Sequence, residues 1–267
     1  MTGGRRRKRL GHHFLHDPRV IDRIISAISP ERRTPIVDIG PGRGALTLPL
    51  LKRTGLLYVI EIDAGLAGEL QARCAGIGDL RIYIADALRF DFSKLGADKL
   101  KVVGNLPYSV STPLLFHLLA QAGSISEMIF MLQREVVARM CAPAGSHDYG
   151  RLSVMIQSRC DVTELFDVGR GAFSPPPRVD SAVVRLVPNE KFANSLKDAA
   201  LFAQVVKLAF GQRRKKLRNA MKELLPHADA ALAEAGVSPD VRAEEVTVQQ
   251  FGMIANALAE VTTDSRI

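Results

Sequence analysis

From residue 34 to about residue 187, short apolar runs rich in Val and Ile alternate with segments of helical periodicity. Ile36–Ile39, Leu57–Ile62, Leu80–Ile84 and Lys101–Val103 predict strands, and Ala45–Arg53, Leu66–Cys74 and Pro113–Gln121 predict helices among them. Met128–Leu132 predicts a further strand, followed by helices over Arg134–Cys141 and Leu152–Cys160 and late strands over Val162–Val168 and Ala182–Val187. Alternating strands and helices, with strands apolar on both faces, predict an α/β fold whose mostly parallel sheet is covered on both sides. Ser174-Pro175-Pro176-Pro177 admits neither a helix nor a regular ladder and predicts a stiff extended loop. After Pro188 the strand-like runs stop. Residues 192–225 and 228–260 are helical in period, punctuated by Gly211, Pro226, Gly236 and Pro239. The expected division is therefore a catalytic domain over 1–188, with a basic arm at 1–11, and a small all-helical domain of about four helices over 189–267.

Composition narrows the picture only slightly. The 267 residues are 47% hydrophobic and 24% charged, enough to bury a core. No apolar run approaches the roughly 18 residues of a membrane span. Cys74, Cys141 and Cys160 are widely spaced, without a CxxC pair, so neither a disulfide framework nor a zinc knuckle is expected. His12, His13 and His16 lack acidic or sulfur partners at metal spacing, and no metal site is expected. The net charge of +8 hints at a polyanionic partner. Arg5, Arg6, Arg7, Lys8 and Arg9 are followed by Leu10-Gly11-His12-His13-Phe14 and not by the apolar stretch of an export signal, so a cytoplasmic protein is expected.

The candidate chemistry lies at the ends of the predicted strands. The first runs into Asp38-Ile39-Gly40-Pro41-Gly42-Arg43-Gly44-Ala45, where glycines permit a sharp turn and close approach of a ligand. Such a turn alone is a weak signal, equally at home in a dinucleotide site or in a tight strand–helix connection. Glu61 ends the second strand, 21 residues after Gly40, and a carboxylate there can accept both hydroxyls of a ribose. Asp86 ends the third strand, where a helix-capping role competes with a ligand role. The fourth strand ends in Asn105-Leu106-Pro107-Tyr108. Proline fixes the backbone there and leaves the preceding carbonyls free, Asn105 offers an acceptor and a donor, and Tyr108 offers a ring for stacking. Those groups suit an exocyclic amine presented as a nucleophile.

Together these motifs resemble the adenine-N6 methyltransferases that use S-adenosyl-L-methionine. More closely, the chain resembles the ribosomal RNA adenine dimethyltransferases of the KsgA type. The likeness runs from Lys8-Arg9-Leu10-Gly11 and Phe14-Leu15-His16-Asp17 to Val187-Pro188, and on through Phe210-Gly211-Gln212-Arg213-Arg214-Lys215-Lys216-Leu217-Arg218-Asn219. It implies a Rossmann-like methyltransferase sheet with S-adenosyl-L-methionine held by His13, Leu15, Gly40, Gly42, Glu61, Asp86 and Asn105. In that family Gly40 and Gly42 would line the methionine end, Glu61 would take the ribose hydroxyls, Asp86 the cofactor's adenine amino group and Asn105 the reacting end. Where the family commonly carries Gln-Asn, this chain has His12-His13. The reaction implied is transfer to adenine N6, catalysed by Asn105, Leu106, Pro107 and Tyr108, with Phe173 as a second aromatic against the flipped base. A core role is the commoner fate of a lone Phe, but the adjacent proline loop favours the pocket for Phe173.

The substrate implied is a pair of adjacent adenines in a hairpin near the 3' end of 16S ribosomal RNA, modified during small-subunit biogenesis. A large-subunit enzyme of the resistance type and an assembly factor with little catalysis are the alternatives. A nicotinamide-dependent oxidoreductase fits the glycine turn but leaves Asn105-Leu106-Pro107-Tyr108 unexplained. The expected RNA-binding residues are Arg5, Arg6, Arg7, Lys8 and Arg9 together with Arg213, Arg214, Lys215, Lys216 and Arg218. These two clusters hold more positive charge than the whole chain's net, so the remainder is close to neutral. Nothing in the sequence demands a dimer, and a monomer is expected.

Overall fold

The computed structural model describes residues 13–107, 110–212, 215–222 and 227–264. The chain opens with β1 (Phe14–Leu15) and α1 (Pro18–Ile28), followed by β2 (Ile36–Ile39), α2 (Thr47–Thr54), β3 (Leu56–Glu61), α3 (Ala64–Arg73) and β4 (Asp79–Ile84). Next come β5 (Leu100–Asn105), α4 (Ser111–Leu119), β6 (Ile125–Gln133), α5 (Arg134–Cys141), α6 (Arg151–Gln157), β7 (Cys160–Val168), β8 (Phe173–Ser174) and β9 (Ser181–Pro188). The remaining helices are α7 (Glu190–Ser195), α8 (Ala199–Gly211), α9 (Leu217–Ala220), α10 (His227–Glu234) and α11 (Val248–Asp264).

The main sheet has the order β4-β3-β2-β5-β6-β9-β7. β2 to β6 pair in parallel, and β9 runs antiparallel to β6. From β2 the chain builds outward through β3 to β4, then returns to place β5 on the other side of β2. The order therefore reverses between β2 and β5, and a crevice opens at the carboxyl ends of those two strands. The expected α/β architecture is the one observed.

α1 had no counterpart in the sequence reading. Asp17 caps it, its carboxylate accepting from the Arg19 and Val20 amides at 2.8 and 3.4 Å, and Pro18 occupies the first turn. Ile24, Ile25 and Ile28 are buried in the core with Ile36, Leu50, Val59 and Val103. Two cations close the helix's C-terminal end. Lys101 Nζ donates to the Ile28 carbonyl at 3.0 Å, and Arg185 Nη2 to the Ala27 carbonyl at 2.6 Å. Glu127 sits between them, 2.6 Å from Lys101 and 3.3 Å from Arg185. The arrangement satisfies orphan carbonyls and favours positive charge at the helix C-terminus.

The chain forms two compact units, residues 1–134 with 164–186, and residues 135–163 with 187–267. The second unit thus takes in α5 and α6, which the sequence division places in the catalytic domain. The reason is packing: Ala142, Tyr149 and Val154 share one core with Phe202, Val205, Val206 and Phe251. The Tyr149 hydroxyl donates to the Val246 carbonyl at 3.0 Å. Leu152–Cys160 is also not wholly helical, since α6 stops at Gln157 and Cys160 opens β7. Five α-helices, not four, follow Pro188 among the described residues.

Glu127→Ala leaves Lys101 and Arg185 without their shared carboxylate. It should cost about 2–3 kcal/mol in urea unfolding, because the surviving cations are partly buried. An unchanged midpoint would show that the two carbonyl contacts suffice.

Candidate active site

At the switch point the backbone turns through Gly40, Gly42 and Gly44, with φ of +62°, +53° and +79°. The three glycines meet different surroundings. A Cβ on Gly44 would collide with Leu70 Cδ1, and one on Gly42 would lie 3.1 Å from the Phe14 ring. A Cβ on Gly40 would meet nothing within 4 Å. So Gly42 and Gly44 admit parts of the protein itself, and Gly40 alone faces open space where a ligand can approach.

A cavity of about 300 Å³ opens beside this turn. His13, Leu15, Gly42, Asn105, Leu106, Pro107 and Phe173 all line it, so the structure brings together most of the residues the sequence points to. Phe173 is 3% exposed and belongs to the core as well as to the cavity wall, so the two expected fates coincide. The Asn105 amide nitrogen donates to the His13 carbonyl at 3.2 Å, which turns its Oδ1 elsewhere as an acceptor. Arg43 lies over the Phe14 ring, 4.6 Å from its centre.

Glu61 and Asp86 stand away from this cavity, on the neighbouring strands. Glu61 ends β3 almost fully buried, one carboxylate oxygen accepting from the Asp63 amide at 2.9 Å. Asp86 follows β4 and accepts from the Leu88 amide at 2.9 Å, which makes it a turn residue and not a helix cap. Ile62 and Ile84, beside them, are 51% and 62% exposed. The sequence reading had not singled out this apolar pair.

The residue it missed most plainly is Asp38. This carboxyl is 1% exposed and lines the cavity. Thr47 Oγ1 donates to its Oδ2 at 2.7 Å. Burial pushes Asp38 up to about 7; the Thr47 hydrogen bond opposes the shift and the charge of Glu61 adds to it. An acid beginning a glycine-rich turn was visible in the sequence, but its burial was not.

In the second unit Lys215, Lys216 and Arg218 are exposed as expected. Two of them already have a partner. Asp240 lies 3.2 Å from Lys216 and 2.7 Å from Arg218. The Lys216 hydrogen bond, with Arg218 alongside, holds Asp240 below the usual carboxylate range. Arg5, Arg6, Arg7, Lys8 and Arg9, with Tyr108, Arg213 and Arg214, lie outside the described residues.

The family model described as "Ribosomal RNA adenine dimethylase" matches residues 3–260. The chain belongs to that family. It is 51% identical over 258 residues to a protein of Pseudomonas putida named "Ribosomal RNA small subunit methyltransferase A", covering 96% of both chains. A protein of the same name from Nitrosococcus oceani is 52% identical, over 93% of this chain and 94% of the relative. Among solved structures, a dimethyladenosine transferase from Plasmodium falciparum is similar with a TM-score of 0.78 and 25% identity, over 95% of this chain and 98% of that one. The 23S rRNA methyltransferase ErmE is similar with a TM-score of 0.70 and 27% identity, over 92% and 99%. As a member of the ribosomal RNA adenine dimethylases, the chain is an S-adenosyl-L-methionine-dependent enzyme. Its residues fit that group. Open space at Gly40, a buried carboxyl with a single hydrogen bond at Asp38, and acceptor carboxylates at two adjacent strand ends match a ligand carrying an ammonium, a ribose and an adenine.

Two predictions follow from this geometry. Gly40→Ala should cost only about 1–2 kcal/mol of backbone strain yet weaken cofactor binding about tenfold or more, whereas Gly44→Ala should chiefly destabilise the fold. Melting curves and calorimetric titration separate the two. The second concerns pH. The folded chain holds a proton on Asp38 that the unfolded chain releases near 3.8, so Asp38 makes stability fall as pH rises from about 4 to about 7. Asp38→Asn should remove that fall, raise the melting temperature above pH 7, and weaken cofactor affinity most at high pH. A variant melting like the parent from pH 5 to 8 would refute the assignment.

Proposed function

We propose that this enzyme dimethylates N6 of two adjacent adenines in a hairpin near the 3' end of 16S ribosomal RNA, during small-subunit biogenesis. The observation that carries the reading is the single cavity in which Asn105-Leu106-Pro107 meets the turn following β2. The named relatives at about half identity across nearly the whole chain support the choice of the small subunit.

In this reading Asp38 faces the cofactor's ammonium, Glu61 accepts its ribose hydroxyls, and Asp86 accepts from its adenine amino group. Ile62 gives that adenine an apolar wall. The main chain of His13, with Leu15, Gly40 and Gly42, encloses the methionine end, while the His13 ring turns to the Pro175 carbonyl. When bound, S-adenosyl-L-methionine supplies an electrophilic methyl on a sulfonium. The protein's task is then to place a poor nucleophile. Adenine N6 is weakly basic because its lone pair is delocalised into the ring. Asn105 Oδ1 and the carbonyl of Leu106 or Pro107 accept its hydrogens and favour a more nucleophilic geometry. The alkylated amine loses a proton readily, so no strong base is required. Phe173 and Tyr108 hold the flipped base between them. Phosphates of the RNA are gripped by Arg5, Arg6, Arg7, Lys8 and Arg9 and by Arg213, Arg214, Lys215, Lys216 and Arg218. The partner is the small ribosomal subunit, met in the cytoplasm, and the enzyme acts as a monomer.

Incubation with radiolabelled S-adenosyl-L-methionine and unmethylated small or large subunits tests the reading. Label should appear on 16S RNA, as two dimethylated neighbours. Label confined to large-subunit RNA would overturn the substrate, and no label despite cofactor binding would favour an assembly factor. Asn105→Ala should slow transfer by about 100-fold or more in a folded protein, and Glu61→Ala should weaken cofactor binding about tenfold.

A further inference from the structure

We propose that His13 is a positioning residue that ties the Asn105 amide to the Phe173–Pro175 loop, fixing the acceptor and the aromatic platform relative to each other. The inference rests on the reading of Asn105 and Phe173 as the groups that meet the target adenine.

His13 makes both halves of the tie. Its backbone carbonyl accepts from Asn105 Nδ2 at 3.2 Å. An Asn amide can present either end to a ligand, and the wrong end would oppose donor to donor against an amine. Occupying the nitrogen with a carbonyl leaves Oδ1 as the acceptor. The His13 ring makes the other half, with Nδ1 2.7 Å from the Pro175 carbonyl. A carbonyl only accepts, so Nδ1 carries the proton.

The backbone alone gives this junction little strength. β1 and β8 are two residues each, pairing Phe14 with Ser174 and Leu15 with Phe173. Beyond them the His16 and Asp17 amides continue the contact, both to the Ala172 carbonyl at 2.9 and 3.4 Å. Pro175 has no N–H and ends the ladder on its side. Its carbonyl is satisfied by a side chain, and that side chain is His13. Without the ring, the hydrogen-bonded part of this junction falls back on a ladder too short to be stable by itself, and burial of Phe173 is left to hold the loop against the N-terminal strand.

A pair of variants tests this. Nδ1 of His and Nδ2 of Asn both lie one bond beyond Cγ, so His13→Asn keeps a donor where His13→Leu removes it. Transfer to small subunits, calorimetric cofactor binding and amide exchange at Ser174 are measured on all three chains. His13→Leu should lower kcat about tenfold or more, leave cofactor affinity within about threefold, and speed exchange at Ser174 about tenfold. His13→Asn should recover most of the rate and of the protection. A His13→Leu chain that transfers like the parent would overturn the proposal. So would one whose loss is wholly in cofactor affinity, or a His13→Asn chain as slow as the Leu variant. If the unaltered chain transfers nothing, the functional reading fails and takes this proposal with it.

Discussion

The catalytic unit is arranged around polar groups held at the buried ends of parallel strands. A parallel sheet covered on both faces gives such groups no solvent except at the strands' carboxyl ends, and an uncompensated carboxylate there is expensive. Asp38 shows the consequence. Buried beside Glu61 with one hydrogen bond from Thr47, it is held near neutrality, not at the charge of an ordinary carboxylate. A cationic ligand would relieve that tension, so the free protein carries a stability penalty that binding removes. The same principle orders the neighbouring strand ends. Glu61 and Asp86 each spend one oxygen on a local amide and keep acceptor capacity at the edge.

The glycine turn solves a packing problem before it solves a binding problem. Gly44 makes room for Leu70 and Gly42 for Phe14, so the N-terminal strand can lie against the turn that follows β2. Gly104 follows the same logic on β5, where a Cβ would stand 2.6 Å from the Ile39 carbonyl. Close approach of β2, β5 and β1 is what makes a single cavity out of residues far apart in sequence. Gly42 lines the cavity as well, and Gly40 has open space beside it. The glycines of the turn thus let the protein close upon itself and keep a wall of the cavity open at the same time.

This explains how much of the molecule was legible in the sequence. The strands and their carboxyl-end residues were readable because a buried parallel strand is a continuous apolar run, and a polar residue ending one stands out. The helix signals of α1 are present in the sequence, in Asp17-Pro18 and in the spacing of Ile24, Ile25 and Ile28, but a single amphipathic turn pattern ahead of the first strand does not say what it packs against. The membership of α5 and α6 was not readable. Their amphipathic pattern fixes which face is buried but not against what, and Tyr149 and Val154 find their partners about 50 to 100 residues away. The ties of His13 were equally hidden, because a carbonyl contact and a ring contact to Pro175 leave no mark in periodicity.

The net charge is the feature whose meaning shifts most. Basic residues before a short helix resemble free charge awaiting phosphate, and at a helix start they oppose the macrodipole. The structure gives Lys216 and Arg218 a resident counter-ion in Asp240. An incoming phosphate at this cluster exchanges one anion for another instead of meeting bare cations. A backbone phosphate carries one negative charge, as Asp240 does, so a gain from the exchange would come from several phosphates arriving in register and not from any one of them. A single phosphate would have to compete with a carboxylate already in place. With one of its charges offset in this way, the cluster attracts polyanions less than its formal charge implies.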